Sequence, residues 1–174
     1  NGAIEVSGTK NSKPVTITST DYVDPGTNLT VTIKPDTGYV VSNPDEAWTA
    51  VDNSDNHTYT IHNVREDQTL SANFEALDKY AISYSVAAVG GIDNGTLTAN
   101  TVRKNMAAYA YGLSSGEEVY EGSDLTFTAA PDDGYRVQEW RVNGEVYQES
   151  GAAFIGTQLV LRGVDEEKTV MVQF

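Results

Sequence analysis

Apolar and polar residues alternate in short runs along this chain, and one such run occurs twice. In LTVTIK, Leu29, Val31 and Ile33 alternate with Thr30, Thr32 and Lys34; in LTFTAA, Leu125, Phe127 and Ala129 alternate with Thr126, Thr128 and Ala130. A period of two rich in β-branched residues predicts a half-buried strand, because successive side chains point to opposite faces of a sheet. PDTG and PDDG follow. Proline fixes φ, aspartate bonds forward to the backbone, and Gly38 or Gly134 can take positive φ, so each tetrad predicts a reversal of the chain. Tyr39 and Val41, or Tyr135 and Val137, then resume the alternation.

In the second copy the apolar set changes register, from Tyr135 and Val137 to Trp140 and Val142. A β-bulge near Gln138 and Glu139 would return both sets to one face. Asn143-Gly144 predicts a two-residue hairpin with Trp140 opposite Tyr147, and Asp93-Asn94-Gly95 predicts a turn after a strand over 81–89. The closing segments TLSANF and TVMVQF put Leu70, Ala72 and Phe74, or Val170, Val172 and Phe174, on one side. No stretch sustains a capped helical period for three turns. VRKNMAAYAYG (102–112) admits a helix through its Ala and Met, but Tyr109 and Tyr111 alternate as in a strand, and extended or loop structure is expected.

The repeated phrase extends over sixteen aligned positions, 26–41 and 122–137, nine of them identical at a spacing of 96. A second echo, NVREDQTLSANF (63–74) with GVDEEKTVMVQF (163–174), has a spacing of 100, so four residues were gained between the echoes, as loops allow. A third pairs Asn1-Gly2-Ala3-Ile4 with Asn94-Gly95-Thr96-Leu97. AISYSVAAVGG (81–91) then has no counterpart, and the first unit is expected to lack its opening strand. Tandem copies of one supersecondary unit are the reading. The expected organisation is a first module at 1–74, a short linker at 75–79 without Gly or Pro, and a second module at 80–174. The fold class expected is mainly β, as two small β-rich modules.

Composition narrows what such modules can do. There is no cysteine, so apolar burial alone builds the core and no thiolate metal site exists. The formal charge is −14, with 5 basic and 12 acidic residues through Lys79 and 6 and 13 beyond it, −7 on each side. An evenly spread acidic skin disfavours nucleic acid and anionic membranes, which are bound through clustered Lys and Arg. No apolar run reaches membrane-spanning length. With no leader ahead of Asn1, the chain is expected to be either cytosolic or the processed interior of an exported protein.

Candidate chemistry is thin. His57 and His62 are five apart, so a strand would point them to opposite faces and oppose joint metal ligation. The pairs Glu117-Glu118, Asp132-Asp133 and Glu166-Glu167 fall in expected turns or loops and read as solvated charge. DNSDN (52–56) offers oxygen ligands but lacks the glycine and distal glutamate of a calcium loop. Catalytic residues, metal and cofactor are all expected to be none. Tyrosine supplies 10 of the 16 aromatics, and an aromatic face with a polar rim suits a sugar ring, so Tyr109, Tyr111 and Tyr120 are candidate glycan contacts, beside the plainer reading of core packing.

The order of these elements, an Asn-Gly turn, EG or PG, an alternating LTxT strand, PDxGY, a tryptophan a few residues on and a final VxxxxTVxxxF, resembles the divergent internalin B-type repeats of bacterial cell-surface proteins. The second unit fits from Tyr80 to Phe174, with 101–117 longer than the usual form. The first departs: Trp140 lies six residues past Gly134, whereas Pro44 holds that offset from Gly38 and Trp48 comes four later. The resemblance implies a β-grasp-like or small sandwich module on exported proteins, mainly of Gram-positive bacteria, serving as a noncatalytic stalk or display element. The alternative is a module that binds a glycan or host protein. A monomer, extracellular or wall-associated, is expected. Lysine–asparagine isopeptide locks occur in some adhesins of this kind; Lys34 or Lys168 beside a strand asparagine would be the candidates, and no spacing singles out a pair.

Overall fold

The computed structural model describes residues 1–10, 13–42, 49–50, 56–102, 110–147 and 156–174, and every regular element among them is a β-strand. The chain divides into two compact units, Asn1–Leu77 and Asp78–Phe174.

Unit 1 contains β1 (Gly2–Lys10), β2 (Lys13–Ile17), β3 (Thr27–Pro35), β4 (Tyr39–Ser42), β5 (Thr49–Ala50), β6 (His57–Val64) and β7 (Asn73–Ala76). Five strands form an antiparallel sheet in the order β2-β1-β3-β6-β5, and β4 pairs with β7 in a second, two-stranded sheet. The predicted alternation of β3 holds: Leu29, Val31 and Ile33 are buried, as are Val41 and Val64.

Unit 2 contains β8 (Lys79–Ala87), β9 (Gly95–Val102), β10 (Ala110–Leu113), β11 (Glu117–Tyr120), β12 (Asp124–Pro131), β13 (Glu139–Val142), β14 (Glu145–Val146), β15 (Gln158–Leu161) and β16 (Lys168–Gln173). One sheet runs β10-β9-β12-β15 and the other β11-β8-β16-β13-β14, with β8 and β16 parallel. One apolar cluster lies between them, drawing Ala99, Leu125, Phe127 and Leu159 from the first sheet and Ile82, Val119, Trp140, Val170 and Val172 from the second. Tyr84 crosses the interior to meet Phe127 edge-on, ring centroids 5.8 Å apart, and its hydroxyl donates to the Leu113 carbonyl at 2.6 Å. Two sheets closed over a single interior give the sandwich form of the expected β class.

The same hydrogen-bond frame builds both units. Gly26 N–H donates to the Val64 carbonyl and Gly122 N–H to that of Val164, each at 2.7 Å. Asp36 N–H donates to the Asn1 carbonyl at 3.1 Å and Asp132 N–H to that of Asn94 at 3.0 Å, which places the Asn-Gly pairs at equivalent positions. The PDxG turns close through Tyr39 N–H to Asp36 and Tyr135 N–H to Asp132, both 3.0 Å, with Gly38 and Gly134 at φ of 82° and 89°. Asn28 Oδ1 accepts from Asn63 N–H and Asp124 Oδ1 from Gly163 N–H, each at 2.9 Å. Asn63 and Gly163 are both left-handed, at φ of 54° and 61°, a backbone state that asparagine and glycine tolerate better than other residues. The sequence echoes mark the residues that close these bonds.

Several expectations change. The residues expected as a linker are mostly strand: Glu75 and Ala76 end β7 and Lys79 opens β8, leaving Leu77 and Asp78 between. β8 ends at Ala87, and the tight turn beyond it is on Gly90-Gly91, where Val89 and Ile92 form a bridge; Asn94-Gly95 instead leads into β9, in the other sheet. Gly-Gly takes positive φ at both central positions without a Cβ penalty, so it wins the two-residue turn. Glu117 and Glu118, read as loop, lie in β11, where an edge position leaves both acids in solvent while Val119 turns inward.

The bulge is present. Gln138 N–H donates to the Gln173 carbonyl at 2.7 Å, and Glu139 is paired with the same Gln173, two residues facing one. Val137 and Trp140 are both buried as a result, but Tyr135 is exposed, because it still belongs to the turn and precedes the strand. Asn143-Gly144 forms the predicted hairpin, both residues at positive φ, with Tyr147 N–H donating to the Trp140 carbonyl at 2.8 Å. Of 102–112, Val102 ends β9 and 110–112 lie in β10, while 103–109 fall outside the described residues. Pro44 and Trp48 do so as well.

Candidate functional site

Of the three candidate tyrosines, Tyr109 lies outside the described residues. Tyr111 is on β10, opposite Thr101, and Tyr120 is on β11, opposite Lys79. Both are half-buried and both strands are sheet edges, but of different sheets. The Tyr120 face is occupied by the Lys79 ammonium, 5.1 Å from the ring centroid, a cation–π contact that covers one stacking surface. Among the described residues, the most exposed large apolar side chains are elsewhere: Tyr22, the tip pair Val89 and Ile92, Tyr135, and Val146 with Tyr147 on the Asn-Gly hairpin.

Among the described residues, charged side chains cluster at the mouth of that hairpin. Asn143 Oδ1 accepts from Thr169 N–H at 2.8 Å, and its Nδ2 donates to Glu166 Oε1 at 3.1 Å. Lys168 Nζ reaches the same Glu166 oxygen at 2.7 Å and Asp165 Oδ1 at 3.3 Å. Burial of Lys168 by itself would lower its pKa, but the hydrogen bonds it donates to Glu166 and Asp165 outweigh that and hold the group above the usual lysine value. Lys168 thus pins the loop before β16 through both carboxylates. Lys34 forms an ion pair with Glu5 across β1 and β3.

Elsewhere Glu139 pairs with Arg141 at 2.6 Å and Asp124 with Arg162 at 3.3 Å, and other described acidic groups serve the backbone or face solvent. Glu117 Oε2 accepts from Ser114 N–H at 2.6 Å, closing the turn between β10 and β11. Asp132 and Asp133 are exposed in the PDxG turn. Both histidines are on β6, with His57 half-buried and His62 exposed; residues 52–55 of DNSDN are outside the described residues. Among the described residues, no three His, Cys, Asp or Glu side chains gather so as to hold a metal ion. Ser123 Oγ is buried without a hydrogen-bond partner, whereas at the equivalent place in unit 1 the Thr27 hydroxyl donates to the Asp24 carbonyl at 2.6 Å. This difference lies in the repeat frame and was not visible in the sequence, because serine and threonine read alike there.

Among the described residues the geometry supplies edges, turns and exposed apolar tips rather than a converging constellation. A family model described as the divergent InlB B-repeat domain matches residues 3–78 and again 86–174. Searches of the curated proteins and of the solved structures gave no match.

Proposed function

The chain belongs to the divergent InlB B-repeat family, in two tandem copies, and from that premise we propose that it is a noncatalytic stalk or display segment of a bacterial cell-surface or secreted protein. The observation that carries this reading is the recurrence of one hydrogen-bond frame under different surfaces. The bonds of Gly26 and Gly122, of Asp36 and Asp132, and of Asn63 and Gly163 are retained. The outward residues change freely: Lys34 against Ala130, Thr37 against Asp133, Tyr22 against Glu118. A spacer requires a closed module at a fixed repeat and asks little of any particular surface side chain. The acidic skin keeps such a segment soluble and disfavours nucleic acid and anionic lipid.

Pulling the chain from its two ends in a single-molecule force measurement tests the reading. Separate modules of Asn1–Leu77 and Asp78–Phe174 give two unfolding steps, with contour gains on the order of 270 and 340 Å from extended-chain reach. One concerted step contradicts it, as does turnover of a glycan or peptide substrate by the purified chain. Saturable binding on a glycan array, lost in Y111A or Y120A, would move the role from spacer to receptor.

A further inference from the structure

In each unit the sheet that carries the repeated strand buries one face and turns the other to solvent, and the two outward faces are built alike. In unit 1 the register sets Thr16, Ser7, Thr30 and Thr60 side by side across β2, β1, β3 and β6, with Glu5, Thr32 and Thr58 in the next row. In unit 2 it sets Gly112, Asn100, Thr126 and Val160 side by side across β10, β9, β12 and β15, with Thr98, Thr128 and Gln158 next. Along β3 and β12 these threonines alternate with the buried Leu29, Val31, Leu125 and Phe127, which fixes them on the outer side. Thr30 and Thr32 recur as Thr126 and Thr128, although Lys34 on the same strand does not recur.

Threonine is ordinary on a solvated strand. The missing net charge is not. The chain holds 25 acidic residues against 11 basic, yet on the described outward positions of these two faces the acids are Glu5 and Asp124. Each is cancelled by an ion pair, Glu5 with Lys34 and Asp124 with Arg162. The other sheet of unit 2 contrasts, with Glu117, Glu118, Glu139 and Glu145 along its strands. Acid that is even along the sequence is therefore uneven around the fold, and it avoids the same face twice.

Size and charge narrow the occupant. Four strands at a spacing of about 4.8 Å, each some six residues long, make a face of roughly 20 by 20 Å, on the order of 400 Å². A folded protein or a second copy needs about 800 Å² from each partner, so the face suits a thin chain better. A polyanion is repelled by the net charge of −14. We infer that these outward faces bind an extended, uncharged β-linked polysaccharide, whose regularly repeated hydroxyls meet rows of threonine, serine, asparagine and glutamine side chains. With no aromatic platform on the described positions, hydrogen bonds and methyl contacts carry the affinity, which is weak for one unit. The place is distinct from Tyr111 and Tyr120, and its failure would leave the two-step force signature of the spacer reading untouched.

Co-sedimentation of the 174-residue chain with insoluble cellulose and with chitin tests it, with alginate gel as the polyanionic arm. Retention on cellulose or chitin, and none on alginate, is expected. Thr30→Glu combined with Thr126→Glu, one change on each face, should weaken that binding by about fivefold or more, as the loss of one or two hydrogen bonds implies. Thr37→Glu, which adds the same charge in an exposed turn, should leave binding unchanged, and so should Y111A with Y120A. Thr60→Glu with Thr98→Glu repeats the test should circular dichroism show the first pair unfolded. Absence of retention on both neutral polymers overturns the inference, and so does retention on alginate. Equal binding by the folded Thr→Glu variants overturns it, as does a matching loss in the Thr37→Glu or tyrosine controls. Dimerisation of the chain alone that Thr30→Glu abolishes would assign the face to a second copy and overturn it likewise.

Discussion

The Phe174 ring is seated on Gly95. A Cβ built on that glycine would stand 2.7 Å from Phe174 Cε2 and 2.7 Å from the Ala130 carbonyl oxygen, so no side chain fits there without moving ring or backbone. Phe74 holds the same relation to Gly2, whose Cβ would collide with the Phe74 ring and come within 2.8 Å of the Lys34 carbonyl. The phenylalanine that closes the second echo in each repeat thus packs on the glycine of its Asn-Gly pair, beside the strand that carries the repeated phrase.

Gly95→Ala is expected to destabilise unit 2 by about 1–3 kcal/mol through overpacking against a backbone carbonyl. Gly2→Ala is expected to cost less, because Phe74 is only half-buried and can swing outward. Chemical denaturation of the two variants checks the order; an equal or reversed cost would contradict the packing assigned to Phe174.

Ser123→Ala is expected to stabilise unit 2, by about 1 kcal/mol, since it removes a buried hydroxyl whose partner is missing. Thr27→Ala in unit 1 is expected to destabilise, because that hydroxyl is bonded to Asp24. Opposite signs from two equivalent positions, measured by thermal denaturation, are the expected outcome.

Lys168→Met is expected to cost about 1 kcal/mol or less, because Glu166 and Asp165 are largely exposed and water screens the pairs. A lysine with a raised folded pKa holds its proton more tightly when folded. Its contribution is therefore fully present below the ordinary value of 10.5 and is lost as pH rises through the higher folded value. Wild type and variant should differ in stability at pH 8 and converge in strong alkali; a gap that widens with alkali would contradict the pairing.

Much of the frame was legible because turns and strands here have local signatures. The alternation around Leu29 and Leu125, the PDxG reversals and the Asn143-Gly144 hairpin each depend on residues within a few positions of one another. What was not legible is which sheet a strand joins. β8 and β9 are consecutive yet lie in different sheets, and the parallel pairing of β8 with β16 joins residues some ninety positions apart. The bulge at Gln138 could be inferred from the shift between Val137 and Trp140, but the exposure of Tyr135 could not, since a turn residue carries no period. The acidic β11 was hidden for a related reason: an edge strand needs only one inward residue, and Val119 alone gives no pattern. Of the candidate glycan contacts, sequence supplied the residue type, but not the separation of Tyr111 and Tyr120 onto different sheets.

The central claim is that each repeat closes its own interior. Phe127 is fully buried in unit 2 and Val31 holds the equivalent place in unit 1. Hydrogen exchange read segment by segment on Phe127→Ala, a loss of about 3–5 kcal/mol to that core, is the direct test. Protection should collapse across β9, β12 and β16 while the amides of Leu29–Ile33 exchange as in the wild type; collapse of both segments together would contradict two separate cores.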